Sequence, residues 1–169
     1  MNIRAPEEKI FAREQLAASW QAAPPGRVVL ANGLFDLVHV GHARYFADAR
    51  CRGDLLVVAL NDDASAAAVK GPKRPLLPLE RRLIVVAAFR HVDAVTWFPE
   101  RSVADTLQLL RPHLHAKGTD YRPRTLPHEE QAVHAELGIE VVIAGDPKDH
   151  ATSSIIDVIL GRPVRGEPD

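Results

Sequence analysis

Two continuous apolar runs with a helical pattern between them place the strongest constraint on the fold of this chain. Arg27 to Ala31 and Asp54 to Asn61 are each predicted to be a buried strand, and Gly41 to Arg52 has the composition and position of a helix. A strand that is apolar on both faces is typical of a parallel sheet covered by helices. Because strands and helices go on alternating along the chain, the sequence predicts a doubly wound α/β domain.

The remaining elements are predicted from apolar spacing and from turn residues. Residues 78 to 90 form an amphipathic helix after Pro78. Further strands are expected at Ala94 to Phe98, Leu114 to Lys117 and Glu140 to Ala144. Further helices are expected near Val103 to Leu110, near His128 to Leu137 and from Thr152 onward. Ahead of the first strand, Pro6 to Trp20 has the spacing of an amphipathic helix, which Pro24-Pro25-Gly26 ends.

A length of 169 residues predicts one domain and leaves no room for a second catalytic domain beside it. We expect a leading helical arm over residues 1–26, a core over residues 27–160 and a frayed tail over residues 161–169.

The charge balance and the cysteine count narrow the classes of partner. The chain has 21 basic and 22 acidic residues, a formal charge of −1 and no basic stripe, so we do not expect nucleic acid as a partner. Cys51 is the only cysteine and cannot form an internal disulfide. No apolar tract is long enough to cross a membrane, and a cytoplasmic location is the resulting expectation.

Residues 32 to 42 place two histidines three positions apart across a glycine, where the predicted helix after the first strand begins. A helix N-terminus offers unpaired backbone N–H groups and the positive end of the helix dipole, which together favour an anion. His39 and His42 lie on one face of the helix and add donors there, while Gly41 leaves space for a close approach. The segment predicts a site for nucleotide phosphates.

This segment, Asn32-Gly33-Leu34-Phe35-Asp36 followed by His39-Val40-Gly41-His42, resembles the signature of the nucleotidylyltransferase superfamily that carries a His-x-Gly-His element. Three more segments resemble that family's motifs in the same order. They are Lys70-Gly71-Pro72-Lys73-Arg74-Pro75 leading into Pro78-Leu79-Glu80-Arg81-Arg82, then Lys117-Gly118-Thr119-Asp120-Tyr121, and Thr152-Ser153-Ser154-Ile155-Ile156. The Asn-Gly opening and the third segment are most similar to the D-glycero-β-D-manno-heptose 1-phosphate adenylyltransferases. The likeness covers residues 27 to 160.

The resemblance implies a Rossmann-like nucleotidylyltransferase fold and a reaction in which AMP passes from ATP to a heptose 1-phosphate, giving ADP-heptose and pyrophosphate. The implied catalytic residues are His39, His42, Lys70 and Arg82. The implied nucleotide-binding residues are Asn32, Gly33, Leu34, Phe35, His39, Gly41, His42, Lys73, Arg74, Thr152, Ser153 and Ser154. The implied substrate-binding residues are Asp36, Lys117, Gly118, Asp120 and Tyr121. No residue is assigned to a metal, because Mg²⁺ is expected to arrive with the triphosphate.

Two alternatives stay open at this point. One is a cytidylyltransferase that uses CTP and glycerol 3-phosphate or a similar small phosphate ester. The stretch at 146 to 151 lacks the arginine that glycerol 3-phosphate cytidylyltransferases carry there and offers only Lys148 nearby. The other is a noncatalytic nucleotide-binding module. If the heptose interpretation holds, the product would feed surface polysaccharide assembly, in lipopolysaccharide biosynthesis. The resemblance also implies a homo-oligomer, with a dimer expected.

The other histidines do not form a grouping that points to a ligand. We interpret them as surface or packing residues; they are His91, His113, His115, His128 and His134.

Overall fold

The structure, a computed structural model, describes residues 4–23, 25–122, 126–146 and 152–162. Its centre is a five-stranded parallel sheet in the order β3-β2-β1-β4-β5. The strands are β1 (Val28–Gly33), β2 (Leu55–Asn61), β3 (Ala94–Phe98), β4 (Leu114–Lys117) and β5 (Glu140–Ile143). The helices are α1 (Arg13–Ala22), α2 (Val40–Cys51), α3 (Asp63–Lys70), α4 (Leu79–Ala87), α5 (Ala104–Leu110), α6 (His128–Leu137) and α7 (Thr152–Ile159), with a short 3-10 helix at Pro6–Lys9. The predicted α/β class is confirmed.

The apolar run of β1 is explained by burial on both faces of the sheet. Val29 packs in one core cluster with Phe46 of α2, whereas its neighbour Leu30 packs in a second cluster with Leu107 of α5. All four side chains are buried. Since successive side chains of a strand point to opposite faces, only an uninterrupted apolar sequence can serve both clusters.

The strand order reverses beside β1. This strand pairs with β2 on one side, where Asn32 lies opposite Ala59, and with β4 on the other, where Ala31 lies opposite Ala116. Ligands of doubly wound sheets bind beyond the carboxyl ends of the strands at such a reversal. The fold therefore predicts a ligand site among the residues that follow Gly33 and Lys117.

The leading arm differs from the single helix predicted over Pro6 to Trp20. A 3-10 turn ends at Lys9, and Ile10 then forms a parallel bridge with Val95 at the outer edge of β3. The Lys9 ammonium donates to the carbonyls of Phe89 and Val92, at 3.2 and 3.0 Å. These contacts interrupt the helix because the backbone at residue 10 pairs with the sheet edge instead.

The helix α3 was not predicted. Its N-cap is Asp62, whose Oδ1 accepts from the Ser65 amide at 2.7 Å, and three consecutive alanines fill its centre. With so few large apolar side chains, the segment has no marked apolar stripe from which a helix could be recognised.

Candidate active site

Each of the other three predicted motifs contacts the first motif, beside the carboxyl end of β1. Asn32 lies near the end of β1, and its Oδ1 accepts from the Nζ of Lys117, the last residue of β4, at 3.1 Å. Thr152, the first residue of α7, donates from Oγ1 to the carbonyl of Leu37 at 3.1 Å. The N-terminus of α2 begins three residues after Leu37, so these elements surround one region of the sheet edge.

The two histidines of the first motif lie ring against ring at the start of α2. Their centroids are 4.0 Å apart, with 46° between the planes. Nδ1 of His39, the N-cap residue, accepts from the Gly41 amide at 3.2 Å, and Nδ1 of His42 accepts from the His39 amide at 3.3 Å. A ring nitrogen that accepts carries no proton, so the proton of each neutral ring lies on Nε2. Both rings can therefore donate from Nε2 to an anion.

Two neighbours hold this pair in place. The ring of Phe35, which is buried, meets the His42 ring edge-on at 5.4 Å between centroids. The backbone of Phe35 is left-handed, with φ of 47°, a conformation that a residue with a side chain rarely adopts. A Cβ on Gly41 would lie 3.0 Å from Cε1 of His39, so a larger residue there would displace the ring. Phe35 thus supports His42, and its predicted contact with the nucleotide stays a prediction.

Asp36 and Arg74 were predicted to bind substrate and nucleotide, and in the structure they bind each other. Nη1 of Arg74 donates to Oδ2 of Asp36 at 2.7 Å, and the amides of Leu76 and Leu77 donate to the same carboxylate at 2.9 Å. Burial acts to raise the pKa of Asp36, but the two backbone amides and Arg74 outweigh it, so the pKa is lowered. Here the carboxylate anchors the loop after Gly71, because its lone pairs are already engaged.

Arg82 was predicted to neutralise charge in the transition state, yet its side chain has 0% exposed surface. Its Nε donates to the Leu77 carbonyl and its Nη1 to the carbonyls of Leu34 and Asn61, at 2.8 to 2.9 Å. Its Nη2 contacts Oδ1 of Asp63 at 2.6 Å. In this arrangement the Arg82 guanidinium links the first motif to β2 and α3. The role that the resemblance implied, direct contact with phosphate, stays a prediction.

Lys70 and Lys73 are the exposed cations of the site. Lys70 ends α3, and Lys73 lies in the loop that Asp36 anchors. Neither ammonium forms a hydrogen bond or an ion pair with any residue that the structure describes. Both side chains can therefore move toward a bound polyphosphate, as flexible lysines do at phosphate sites.

The third motif forms a turn beyond β4. The Tyr121 amide donates to the Gly118 carbonyl at 3.0 Å, and Oγ1 of Thr119 donates to the Asp146 carbonyl at 2.9 Å. A Cβ on Gly118 would lie 3.0 Å from Oδ1 of Asp120, so the glycine allows this carboxylate to fold back over the turn. Substrate contacts of Gly118, Asp120 and Tyr121 stay predictions.

A buried polar network lies behind Lys117 and Asn32. The Lys117 ammonium also donates to Oε2 of Glu130 at 3.1 Å, and His115 Nε2 lies 2.8 Å from Asn32 Oδ1. Burial lowers the pKa of Lys117, and the neighbouring Glu130 carboxylate opposes that shift. The second nitrogen of the His115 ring, Nδ1, lies 2.8 Å from Nε2 of His134. Both histidines are buried, which fits their interpretation as packing residues, but that interpretation did not predict their hydrogen bonds to each other and, through His115, to Asn32.

One signal in the sequence could have found this network. His115 and Lys117 are two apart on β4 and so share one face of the sheet, while Glu130 and His134 are four apart on α6 and share one face of the helix. Two polar pairs at these spacings on consecutive elements indicate a buried polar contact. Only the packing of α6 on the sheet brings them together.

Parts of the fourth motif lie beyond what can be described. The side chains of Ser153 and Ser154, and the whole of Lys148, lie outside the described part of the chain. Their predicted roles in binding nucleotide stay predictions.

Two general properties bear on function. None of the described helices combines the length and the apolar character that crossing a membrane requires. Within the described residues, no three or more side chains of His, Cys, Asp or Glu are grouped so that they could hold a metal ion.

A parallel sheet with reversed strand order and two histidines at a helix N-terminus together form a site suited to the phosphates of a nucleotide. The chain belongs to the cytidylyltransferase-like family, whose model matches residues 30–157. That range contains all four motifs, and only the last two residues of α7 lie beyond it.

Two relatives illustrate the similarity. Bifunctional protein HldE of Gluconacetobacter diazotrophicus is 52% identical over 137 residues, which cover 79% of this chain and 27% of that protein. Bifunctional protein HldE of Chromohalobacter salexigens is 43% identical over 136 residues, which cover 80% of this chain and 28% of that protein. The chain thus spans just over a quarter of the length of these relatives.

Solved structures show the same architecture. The lipopolysaccharide core biosynthesis protein of Thermoplasma volcanium superposes with a TM-score of 0.60 at 26% identity, covering 73% of this chain and 99% of that one. Pantothenate synthetase of Thermus thermophilus has a TM-score of 0.56 at 17% identity, covering 86% of this chain and 63% of that one, and so bears on the fold alone.

Proposed function

We propose that this protein transfers AMP from ATP to a heptose 1-phosphate, giving ADP-heptose and releasing pyrophosphate. The observation that carries the proposal is the placement of the His39 and His42 rings side by side at the start of α2, where Nδ1 of each ring accepts from a backbone amide. The similarity to the two HldE proteins and to the lipopolysaccharide core biosynthesis protein supports the choice of acceptor.

In the proposed reaction an oxygen of the sugar 1-phosphate attacks the α-phosphorus of ATP in line with the departing group. A new P–O bond forms as the bond between the α-phosphorus and the bridging oxygen breaks, and that oxygen leaves with pyrophosphate. A phosphate monoester is already ionised near neutral pH, so no general base is needed, and alignment and charge neutralisation supply the rate.

Different residues of the site would have different roles in this reaction. His39 and His42 would donate to the triphosphate, with the N-terminal amides of α2 adding to the field. Lys70 and Lys73 would close on the phosphates, because both are exposed cations without partners among the described residues. The substrate nucleotide would bring Mg²⁺ with it.

A cytidylyltransferase acting on glycerol 3-phosphate is the second candidate, and the description of the matching family favours it. Pyrophosphate release decides between the two in a panel that pairs ATP or CTP with heptose 1-phosphate, glucose 1-phosphate or glycerol 3-phosphate. We expect release only with ATP and heptose 1-phosphate. Release with CTP would support the second candidate, and ATP binding without release from any pair would indicate a noncatalytic module.

A further inference from the structure

The buried histidines behind the site set the direction of a chain of hydrogen bonds. His115 has 0% exposed surface and His134 has 9%. Three distances define the chain: 2.8 Å from His134 Nε2 to His115 Nδ1, 2.8 Å from His115 Nε2 to Asn32 Oδ1, and 3.1 Å from Lys117 Nζ to the same oxygen.

The Lys117 contact fixes which end of the Asn32 amide faces inward. An ammonium can only donate, so the atom that it meets must be the amide oxygen, not the amide nitrogen. His115 must then donate to that oxygen from Nε2–H. In a neutral ring Nδ1 is left as an acceptor, and His134 must donate to it from its own Nε2–H.

The charges around the two rings favour this neutral arrangement. Burial lowers the pKa of His115 well below its usual value, and the Lys117 ammonium and His134 lower it further. Burial also lowers the pKa of His134, with Lys117 acting in the same direction and Glu130 opposing. The groups facing the rings are thus the Lys117–Glu130 ion pair, Ser102 on the far oxygen of Glu130, and the Asn32 amide.

The amino group of Asn32 is left pointing away from this chain. None of the described residues accepts a hydrogen bond from its Nδ2, and Nδ2 is not one of the buried unpaired side-chain atoms of the described residues. Asn32 is partly exposed and directly precedes Gly33, where β1 ends at the site.

We propose that His115 is a positioning residue, held in its tautomer by His134, which orients the Asn32 amide so that Nδ2–H₂ donates to an oxygen of the bound substrate. The substrate oxygen belongs to a phosphate or to a sugar hydroxyl, both of which accept such a bond. The inference deepens the proposed function and rests on it for the identity of the ligand.

The first test uses the ligand-free protein. With ¹⁵N- and ¹³C-labelled histidine, the ring couplings measured by NMR at pH 7.5 should show the Nε2–H tautomer for both His115 and His134. A proton on His115 Nδ1 would overturn the proposal. This measurement does not depend on any activity.

The second test compares two replacements of His115 by calorimetry, with ATP alone and with heptose 1-phosphate alone. His115→Leu should lower the affinity for one of the two ligands by about 3- to 10-fold, which corresponds to the loss of one hydrogen bond. His115→Gln keeps a donor toward Asn32 and should bind within about 3-fold of wild type. The ligand whose affinity falls is the one whose oxygen the Asn32 amide contacts.

The control for destabilisation is Val95→Ala, which removes buried methyl groups from β3, on the face of the sheet opposite to His115 and three strands away from β4. It should lower the melting temperature without changing either affinity. Unchanged affinity in His115→Leu, or equal losses in the Leu and Gln variants, would overturn the proposal. If wild type binds both ligands but releases no pyrophosphate, only the proposed function fails.

Discussion

The Arg74 guanidinium lies 2.7 Å from the carboxylate of Asp36, and this ion pair closes one loop against the site. The roles predicted for Asp36 in binding substrate and for Arg74 in binding nucleotide stay predictions. The Asp36 side chain has 2% of its surface exposed and that of Arg74 has 21%. The carboxylate also accepts from two backbone amides of the loop that carries Lys73. Asp36 therefore holds this loop in position.

Replacement of Asp36 by Asn should destabilise the protein at pH 7 by about 1 to 3 kcal/mol, because the charged acceptor of three groups is lost. The pKa of Asp36 is lowered in the folded state from 3.8, so its contribution is present above that pH and is lost as the pH falls below it. The gap in unfolding free energy between wild type and variant should therefore narrow in acid. Urea denaturation at pH 7 and at pH 3 measures it, and a gap that widens in acid would contradict this reading.

The His42→Ala variant should lose at least about 100-fold in turnover, the scale of removing one preorganised donor to a developing oxyanion. His91→Ala is the matched control, since His91 precedes β3 at the opposite edge of the sheet. Pyrophosphate release under saturating substrates is the measurement. Near-normal turnover of His42→Ala would show that the two histidines do not stabilise the transition state.

Gly41→Ala should reduce turnover by about 10- to 100-fold with little change in melting temperature. The added methyl would lie 3.0 Å from Cε1 of His39, so that ring would have to shift relative to His42 and lose its alignment. Activity and thermal unfolding measured on the same preparation separate the two effects. A variant with full activity would show that the placement of the His39 ring is unimportant.

Replacement of Arg82 by Met should lower the free energy of unfolding by about 3 to 5 kcal/mol, because three carbonyls lose their buried donor. The neighbouring Arg81 is exposed and provides the control, since Arg81→Met should stay within about 0.5 kcal/mol of wild type. Denaturant unfolding compares the two. Equal stability of both variants would show that the Arg82 contacts contribute little.

The stability of the protein should fall as the pH drops below 6.5, in part because of the buried histidine pair. The pKa values of His115 and His134 are lowered from 6.5 in the folded state, so the unfolded chain takes up protons first. The contribution is complete above that pH and is lost as the pH falls toward the folded values. The double variant His115→Gln with His134→Gln should flatten the slope between pH 6.5 and pH 5 in denaturant unfolding. His128→Gln, on an exposed part of α6, should keep the wild-type slope.

The sequence determined the class of fold and the location of the site. Buried strands such as β1 and β2 need apolar side chains on both faces. This requirement produces a run of consecutive apolar residues, which can be recognised in the sequence. The position of His39 and His42 at a helix start after a strand is equally local, so spacing alone was enough to predict where the two rings lie. Their binding of phosphate stays a prediction.

Only the tertiary structure decided what the individual polar side chains contact. Arg82 and Arg81 are adjacent and alike in sequence, yet one is buried against three carbonyls and the other is exposed. His115 finds Asn32 and His134 only because β4 pairs with β1 and α6 packs behind them. Such partners are distant along the chain, and a short hydrogen bond depends on where whole elements pack, which no local pattern encodes.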